Sequence, residues 1–535
     1  MIKQIITIGL FTLIYHFAVA QPNDKSKVAK QDKSVAFAES ITKEDMRTIL
    51  TVLASDEYEG RETGTEGQRK AADYIANKFE ALGLPKIGED DTYFQEMIYT
   101  GESWDEIKMT VGEKSYRHLW DFYSFPTRNS DRPATRIEEV VFLGYGMDDP
   151  KYSDYGNRNV RGKTILIYAG EPKDKSGNYL VSGTKESSDW STDWRKKLKT
   201  AKEKGVALVL IIDPNIQSNI KENRRFLLSS NMRIGPGEQA EANFANNIFI
   251  SSTIAKAIVG RKFKKVVKAR DKITKKGKLK TVSIPTDMEV IQDKKTRQLI
   301  GSNVLGFIEG SDPTMKDEVV VVTAHYDHLG KRGQSIYNGA DDNGSGTSTV
   351  LEVAEALAKA KAAGAGPRRS ILVMLVSGEE KGLLGSQYYA ENPIFPLENT
   401  VANVNVDMVG RVDKKYTANP NYIYVIGSDR LSTELHEINE TANQNYTNLV
   451  LDYTYNDDND PNRYYYRSDH YNFAKKGIPA IFYFNGTHED YHRSTDTVDK
   501  INFEKMEKIG KLVFHTTWEL ANRDKRIEVN VKGRN

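Results

Sequence analysis

From residue 296 onward, short apolar runs alternate with amphipathic stretches. Between the first two runs, residues 347–361 place Val350, Val353 and Leu357 at helical spacing beside several alanines, which predicts an amphipathic helix. The alternation predicts an α/β sheet with helices on its faces. The runs predicted to be buried strands are residues 319–324, 371–376, 401–406 and 480–484.

The chain before residue 296 shows two other patterns. Residues 45–84 are predicted to be largely helical, with Ala71, Ile75 and Phe79 at helical spacing and a glycine-rich loop at 59–67. The segment 130–290 instead carries short β-like runs separated by turn residues, around one helical stretch at 193–205. We interpret it as a separate small module. Its predicted strands are residues 140–143, 163–168 and 206–212.

Composition narrows the class of protein. A chain of 535 residues is too long for one ordinary core, and 39% hydrophobic with 28% charged residues is typical of a folded globular protein. The net charge of +2 indicates neither nucleic acid nor membrane as a partner. The chain has no cysteine, which excludes disulfides, thiolate metal sites and a cysteine nucleophile. Any metal must therefore be held by His, Asp and Glu.

The first 20 residues have the pattern of a signal peptide. Lys3 precedes a largely apolar stretch at 5–17, and Ala18-Val19-Ala20 is a small-residue cleavage site. The apolar stretch is shorter than the ~20 residues that a membrane span requires. We therefore expect an exported protein, periplasmic or secreted, without stable membrane insertion.

One stretch, residues 261–280, is rich in Lys and Arg. A site for a polyanion is one interpretation of this charge. No ladder of aromatic side chains accompanies the charge, so we interpret the stretch as a solvated face or hairpin of the module and expect no nucleic-acid partner.

Acidic and histidine residues follow the predicted strands at their ends. In open α/β sheets, ligands bind at the carboxyl ends of the strands. Taken singly, such residues are commonly helix caps or surface groups. Together they offer the oxygen and imidazole ligands that a pair of divalent ions requires. The clusters are His325-Tyr326-Asp327, Asp341-Asp342-Asn343, Glu379-Glu380, Asp407 and His492.

These motifs, in this order, resemble those of the two-zinc (co-catalytic) aminopeptidase family, which includes secreted bacterial leucine aminopeptidases. Besides the clusters above, the similar segments are Asn338–Gly346, Ser377–Glu380, Asn405–Met408 and Tyr491-His492. Upstream, residues 53–67 resemble the family's entry segment and 302–304 the strand before the metal domain. The module at 130–290 resembles the protease-associated (PA) domain inserted in many members.

The resemblance implies a fold and a division of the chain. We expect a mixed-sheet α/β zinc-peptidase domain of the phosphorylase/hydrolase-like type, with helices on both faces and a small, β-rich inserted PA domain. The predicted parts are a signal peptide (1–20), a flexible leader (21–40), the N-terminal part of the peptidase domain (41–129), the PA domain (130–290), the zinc peptidase catalytic domain (291–525) and a C-terminal tail (526–535).

The resemblance also implies roles for individual residues. Asp342 would bridge two zinc ions, with His325 and Asp407 completing one site and Glu380 and His492 the other. Glu379 would be the general base for water activated by the two ions. Asp327 would accept the second ring N–H of His325, Tyr491 would hydrogen-bond the oxyanion, and Arg467 would contact substrate. His328 departs from the family, where a small residue is commoner.

Several alternatives stay open at this point. The expected activity is hydrolysis of the N-terminal peptide bond of peptides with a free N-terminus. A carboxypeptidase or dipeptidase would use the same framework, and a glutaminyl cyclase is disfavoured because its relatives bind one zinc. A non-catalytic binding relative would have no reason to keep Glu379. Manganese or cobalt can occupy such sites. The sequence leaves oligomeric state open.

The last expectation concerns the backbone at the bridging carboxylate. Relatives hold the peptide bond after this aspartate in the cis form, so the resemblance predicts a cis bond between Asp342 and Asn343. Gly344 and Gly346 would let the backbone pass close to the metals, and Ser345 would satisfy an early N–H of the following helix.

Overall fold

The computed structural model describes residues 33–228, 231–236 and 243–532. The signal peptide predicted at 1–20 lies outside these residues. The described α-helices are α1 (Lys33–Ala38), α2 (Lys43–Leu53), α3 (Glu66–Ala81), α4 (Asp189–Thr192), α5 (Trp194–Glu203), α6 (Ile216–Leu228), α7 (Ser252–Val259), α8 (Phe263–Lys276), α9 (Gly346–Ala362), α10 (Leu384–Glu391), α11 (Thr433–Ala442), α12 (His470–Ala474) and α13 (Phe503–Asn522).

Most strands are short, whereas β1 and β11 are long. They are β1 (Phe94–Val111), β2 (Lys114–Tyr116), β3 (Phe122–Tyr123), β4 (Arg132–Phe142), β5 (Asp148–Asp149), β6 (Tyr152–Ser153), β7 (Thr164–Tyr168), β8 (Leu208–Ile212), β9 (Asn231–Ile234), β10 (Asn247–Ile250), β11 (Val282–Ile308), β12 (Val319–His325), β13 (Gly330–Arg332), β14 (Ser335–Tyr337), β15 (Ser370–Val376), β16 (Thr400–Val406), β17 (Tyr422–Ile426), β18 (Val450–Asp452) and β19 (Ala480–Phe484).

One mixed sheet runs through the molecule in the order β18-β17-β19-β16-β12-β15-β11-β4-β7-β8-β10-β3. Strands β15, β12, β16 and β19 are parallel to their neighbours in that series, whereas β11 and β17 pair antiparallel at its two sides. The four predicted strands of the C-terminal half are confirmed, each within a residue of its predicted bounds. Their parallel order brings four carboxyl ends to one edge.

Strand β12 is buried on both faces, as its continuous apolar sequence predicts. Val320, Val322 and Ala324 pack in the main core with α2, α3, α9 and α13. Val319 and Val321 point to the opposite face, where they pack near Tyr389 of α10 and Phe473 of α12. Helices therefore cover both faces of the sheet, and the predicted mixed α/β fold is confirmed.

A second hydrophobic core lies in the N-terminal half and is separate from the first. It contains residues from 109 to 290, so it takes in Met109, Tyr116 and Phe122, which precede the predicted boundary at 130. Parallel strands β4, β7, β8 and β10 form its sheet. The prediction of a β-rich module needs correction, because the five helices α4–α8 also fall in this segment. In α5 and α8 the apolar residues alternate with many lysines.

The two cores are joined by a long antiparallel ribbon that the sequence did not predict. Strand β1 pairs with β11 from Phe94↔Val304 to Val111↔Met288. The first part of β11 also pairs with β4 in the second core, and its last residues pair with β15 in the first. One strand thus contributes to both cores.

The predicted flexible leader at 21–40 overlaps a short helix. Residues of α1 pack on the main core, with Ser34 and Ala38 buried. At the other end, Ile527 is buried within the predicted tail. Among the described residues, no helix is both long and apolar enough to cross a membrane.

Lys197 should make the stability of the second core depend on pH. Its side chain is buried on α5 and donates to the carbonyl of Gly170. Burial lowers the pKa of Lys197 to about 8, even though Asp154 and Glu171 raise it. Between pH 8 and 10.5 the unfolded chain therefore binds more protons, so the free energy of unfolding rises with pH, by at most about 1.4 kcal/mol per pH unit.

The comparison is between Lys197→Met and Lys199→Met, an exposed position on the same helix. Denaturation followed by the fluorescence of Trp190 and Trp194 reports on this core. The difference in unfolding free energy between the wild type and Lys197→Met should increase from pH 8 to 10. The corresponding difference between the wild type and Lys199→Met should not change with pH. If the difference for Lys197→Met also stays constant from pH 8 to 10, Lys197 is charged in the folded protein.

Candidate metal centre

The predicted site residues meet at the edge formed by the carboxyl ends of the parallel strands. His325 ends β12, and Asp407 follows β16 directly. Glu379 and Glu380 lie in the turn after β15, and His492 lies in the loop after β19. Asp342 precedes α9. This is the position that open α/β sheets use for ligands.

Asp342 lies between two groups of side chains. Its Oδ1 is 3.4 Å from His325 Nε2, and its Oδ2 is 2.9 Å from His492 Nε2. Each oxygen therefore faces a different imidazole. A carboxylate with one oxygen toward each of two groups has the geometry that bridging two ions requires.

On the first side, His325 Nε2 is also 3.3 Å from Asp407 Oδ1. His325, Asp342 and Asp407 offer ligand atoms that all lie within 4.8 Å of one another. On the second side, His492 Nε2 is 3.4 Å from Glu380 Oε1. A second compact group consists of His328, Asp342 and Glu380, so the structure adds His328 to the side predicted from Glu380 and His492.

Buried polar atoms at the centre fit a divalent cation. His325 Nε2 and Asp407 Oδ1 have no hydrogen-bond partner among the described residues. An imidazole nitrogen and a carboxylate oxygen buried without partners are costly unless a ligand satisfies them. Nitrogen and oxygen donors at this spacing suit zinc.

The charges around the centre also favour a bound cation. Although burial favours the neutral ring, Asp407 and Glu379 raise the pKa of His325 well above its usual value. In the same way, Glu380 and Asp342 raise the pKa of His492 to about 9 against the effect of burial. Acidic groups thus dominate the local potential, which favours bound cations.

Glu379 lies beside the first group but outside it. Its Oε2 is 3.9 Å from His325 Nε2, and its backbone N–H donates to Asp327 Oδ1 at 3.2 Å. Burial raises the pKa of Glu379, and the charges of Glu380 and Asp407 add to that effect while His325 opposes it. A carboxyl group with a raised pKa near the centre suits proton transfer at neutral pH.

The contact predicted between Asp327 and His325 is different in the structure. His325 Nδ1 lies 3.1 Å from the main-chain carbonyl of Asp327, whereas its distance to the Asp327 carboxylate is 3.8 Å. The carboxylate instead accepts from Thr63 Oγ1 and from the Glu379 backbone. Asp327 therefore orients His325 through its carbonyl and the turn of Glu379 through its side chain. Its side-chain contact was predicted wrongly.

Tyr491 and Arg467 lie together at the rim of the centre. Arg467 Nη2 donates to the Tyr491 hydroxyl at 3.3 Å, and the Tyr491 ring stacks on His492. Burial raises the pKa of Tyr491 well above its usual value, and Asp342 and Glu380 raise it further, so its hydroxyl keeps its proton. Beside them, Met408, Tyr464, Phe482 and Phe484 form an apolar wall.

Residues 303–517 match the sequence profile of peptidase family M28. A probable leucine aminopeptidase of Trichophyton verrucosum is 33% identical over 216 residues, which cover 39% of this chain and 56% of that protein. Aminopeptidase YwaD of Bacillus subtilis is 30% identical over 216 residues, covering 39% of this chain and 42% of that protein. The chain thus spans about half the length of these curated relatives.

Solved structures resemble the fold over a larger share of the chain. An aminopeptidase from Aneurinibacillus sp. strain AM-1 aligns with a TM-score of 0.57 at 17% identity, covering 94% of this chain and 98% of that one. The structure of BSAP, a zinc aminopeptidase from Bacillus subtilis, aligns with a TM-score of 0.53 at 19% identity, covering 92% and 99%. At this identity the likeness establishes the fold.

The loop around Asp342 follows the expected backbone. The Asp342–Asn343 peptide bond is cis, which confirms that prediction. Asn343, rather than the predicted Ser345, accepts from the first N–H of α9, that of Gly346. Ser345 Oγ instead donates to the carbonyl of Asp341. Hydrogen bonds within the loop therefore fix where Asp342 points.

The adjacent residues Asp341 and Asp342 have different roles, because their carboxylates point to different neighbours. Asp341 points away from the centre and accepts from the Gly410 N–H at 2.7 Å and from Asn485. His488 Nε2 lies 3.1 Å from its Oδ2. The carboxylate of Asp496 accepts from the backbone N–H of both aspartates. Sequence reasoning did not find Asp496, which carries no motif of its own.

Arg61 is another positioning residue that the sequence did not reveal. Its guanidinium is 1% exposed and donates to the carbonyls of Leu53, Tyr326, Asn338 and Gly339. It thereby ties the entry loop to the two segments that carry His325 and Asp342. Burying a charged group at this depth is tolerated because all these donors are paired.

Replacing Arg61 with methionine should lower the free energy of unfolding by about 3–4 kcal/mol, because it leaves several buried carbonyls unpaired. Arg69→Met is the matched control, since Arg69 forms exposed ion pairs with Glu66 and Asp73 and should change stability by less than about 1 kcal/mol. Urea denaturation followed by circular dichroism measures both. Equal stability of the two variants would contradict this role for Arg61.

Proposed function

We propose that this protein is a two-zinc aminopeptidase that removes residues from the N-terminus of peptides. The observation that carries the proposal is the position of Asp342, whose two oxygens face His325 and His492 on opposite sides. Glu379 stands beside the same centre as a general base. The M28 profile and the aminopeptidases similar to this chain support the assignment.

The donor set divides between two positions. His325, Asp342 and Asp407 would hold one ion, and Asp342, Glu380 and His492 the other. A pair of zinc ions held there would supply a hydroxide at neutral pH and would polarise the scissile carbonyl. The inserted second core contributes no residue to either group among the described residues.

The chain's own groups then handle the proton and the developing charge. Glu379 accepts the proton of the attacking water and delivers it to the leaving amine. Tyr491, which stays protonated, donates a hydrogen bond to the oxyanion, a contribution of about 3 kcal/mol for one well-aimed donor. Arg467 holds the Tyr491 hydroxyl by its hydrogen bond.

The charge and shape of the pocket favour the N-terminal end of a peptide. The carboxylates of Glu379, Asp407 and Asp342 line the pocket together with an apolar wall of Met408 and aromatic rings. A protonated α-amine is attracted by the acidic groups, whereas an apolar first side chain fits the wall. We therefore propose a preference for large apolar N-terminal residues.

One observation favours a second function on the same framework. Arg467 is a cation at the rim of the pocket, and a guanidinium there can bind the carboxylate of a peptide C-terminus. That arrangement would make the protein a carboxypeptidase or a dipeptidase. The retained Glu379, by contrast, is unnecessary in a non-catalytic binding relative.

Peptides blocked at one end distinguish these functions. The zinc-loaded protein is assayed on Leu-Ala-Phe-Gly with a free or acetylated N-terminus and, separately, with a free or amidated C-terminus. The proposal expects acetylation to abolish cleavage and amidation to leave it nearly unchanged. The reverse pattern would identify a carboxypeptidase. Cleavage of the dipeptide Leu-Ala but of none of the tetrapeptides would identify a dipeptidase, and no cleavage of any of these peptides would contradict a peptidase. Replacing the N-terminal Leu with Asp should reduce kcat/KM.

Location and domain roles form the remaining part of the proposal. The pattern of residues 1–20 supports export by a signal peptide to the periplasm or the medium. We assign residues 130–290 to an inserted PA domain that roofs the site or steers substrates, and their separate hydrophobic core supports this. Deleting residues 1–20 should keep the protein in the cytoplasm of its expression host, which cell fractionation measures.

A further inference from the structure

His328 lies inside the metal centre although the family resemblance gives it no role. It comes directly after Asp327, and its backbone N–H donates to the carbonyl of Arg61. The side chain is completely buried. Its ring packs against Gly339, where a Cβ would lie 2.4 Å from His328 Cδ2. Any residue but glycine at 339 would displace the imidazole, so the loop is shaped around His328.

The ring of His328 faces the same two carboxylates as His492. His328 Nδ1 is 2.9 Å from Glu380 Oε1 and 3.9 Å from Asp342 Oδ2. His492 Nε2 lies 3.4 Å and 2.9 Å from those same two oxygens. Two imidazoles and two carboxylates thus converge on one point, with the ring centroids 6.0 Å apart.

A hydrogen bond to Glu380 is the simplest alternative role for His328. The approach of Nδ1 to Glu380 does not have hydrogen-bond geometry, and neither ring nitrogen of His328 has a hydrogen-bond partner among the described residues. Buried ring nitrogens are rarely left unsatisfied. A cation between His328 and the two carboxylates would satisfy Nδ1 in a way that Glu380 alone does not.

We propose that His328 is a fourth protein ligand of the second metal position, with Asp342, Glu380 and His492. The inference rests on the proposed two-metal site and deepens it. The first position has three protein ligands, of which one is an imidazole. Zinc sites closed by four protein ligands are structural in character, whereas catalytic sites keep a position open. The second position therefore binds its ion more tightly, and the first is the one open to water and substrate.

X-ray absorption of the wild-type protein loaded with one equivalent of zinc tests the proposal directly. The tighter position should fill first and show two imidazole ligands. A single imidazole around that ion would overturn the proposal, while a protein that still takes up two ions and cleaves peptides would leave the proposed function standing. Failure to bind a second ion would instead contradict the proposed function.

The metal affinities of two variants distinguish a metal ligand from a residue that only positions a metal ligand. In His328→Gln, competition with a chromophoric chelator should show the tighter affinity falling more than about a hundredfold, with the weaker affinity nearly unchanged. His488→Gln is the matched control, because His488 contacts Asp341 and not the centre, and should lose about tenfold at most. Equal losses in both variants would overturn the proposal. Near-ultraviolet circular dichroism confirms that each variant is folded.

Discussion

Replacing Glu379 with glutamine is expected to lower kcat by about 10²- to 10⁴-fold while both metal ions stay bound. Glutamine keeps the shape of the side chain, but its amide cannot accept the proton of the attacking water. The loss should appear in kcat and kcat/KM alike, because proton transfer occurs in the transition state and adds little to substrate binding. Steady-state kinetics on a free N-terminal peptide, with metal analysis of the same sample, measure it.

Glu380→Gln is the variant to compare with Glu379→Gln. Glu379 and Glu380 are adjacent in the chain, but their side chains face different groups. Glu380 lies 3.4 Å from His492 Nε2, so its substitution should weaken metal binding first, and excess zinc should restore much of the activity. Excess zinc should restore none to Glu379→Gln. If Glu379→Gln turned over substrate at near the wild-type rate, another group would have to be the base.

The second large effect concerns the bridging carboxylate. Asp342→Asn should lose both ions, because the neutral amide offers one oxygen where two ions each require a charged one. Activity should fall to background, and elemental analysis of the purified variant should find less than one ion per chain.

Asp407→Asn provides the contrast for that prediction. Asp407 lies near His325 and accepts from Ser468 on its other oxygen, so its substitution should cost only the first ion. Retention of one ion by Asp342→Asn, or loss of both by Asp407→Asn, would mean that Asp342 does not bridge.

The parallel strands of the C-terminal half were predictable because they are buried on both faces. A continuous apolar run such as 319–324 is stable only where both of its faces are buried. The four runs of this kind form β12, β15, β16 and β19. The basic stretch 261–280 also contained a usable signal. Val266, Ala269 and Ile273 recur at helical spacing, and they form the buried face of α8. The abundance of lysine obscured that pattern.

The β1–β11 ribbon was not predictable in the same way. Its middle carries charged and polar residues such as Glu102, Lys294 and Thr296, so no clean alternation of apolar and polar residues marks it as a strand. Pairing with a partner about 180 to 210 residues away, rather than a local pattern, defines the strand. Contacts between distant segments of this kind cannot be read from a window of sequence.

At the site, residue identity was predictable and the supporting contacts were not. His325, Asp342, Glu380, Asp407 and His492 carry motifs and meet as predicted. The main-chain carbonyl of Asp327, the guanidinium of Arg61 and the ring of His328 act through tertiary geometry. A carbonyl has no sequence signature, and a buried arginine resembles a surface one until the fold is known.

The central claim is that Asp342 bridges two zinc ions. Anomalous diffraction at the zinc absorption edge, from crystals of the zinc-loaded protein, tests it most directly. We expect two anomalous peaks about 3.5–4 Å apart, one on each side of the Asp342 carboxylate. The first should be bound by His325 and Asp407 and the second by Glu380 and His492. A single peak at this edge of the sheet, or peaks that Asp342 does not touch, would contradict the account.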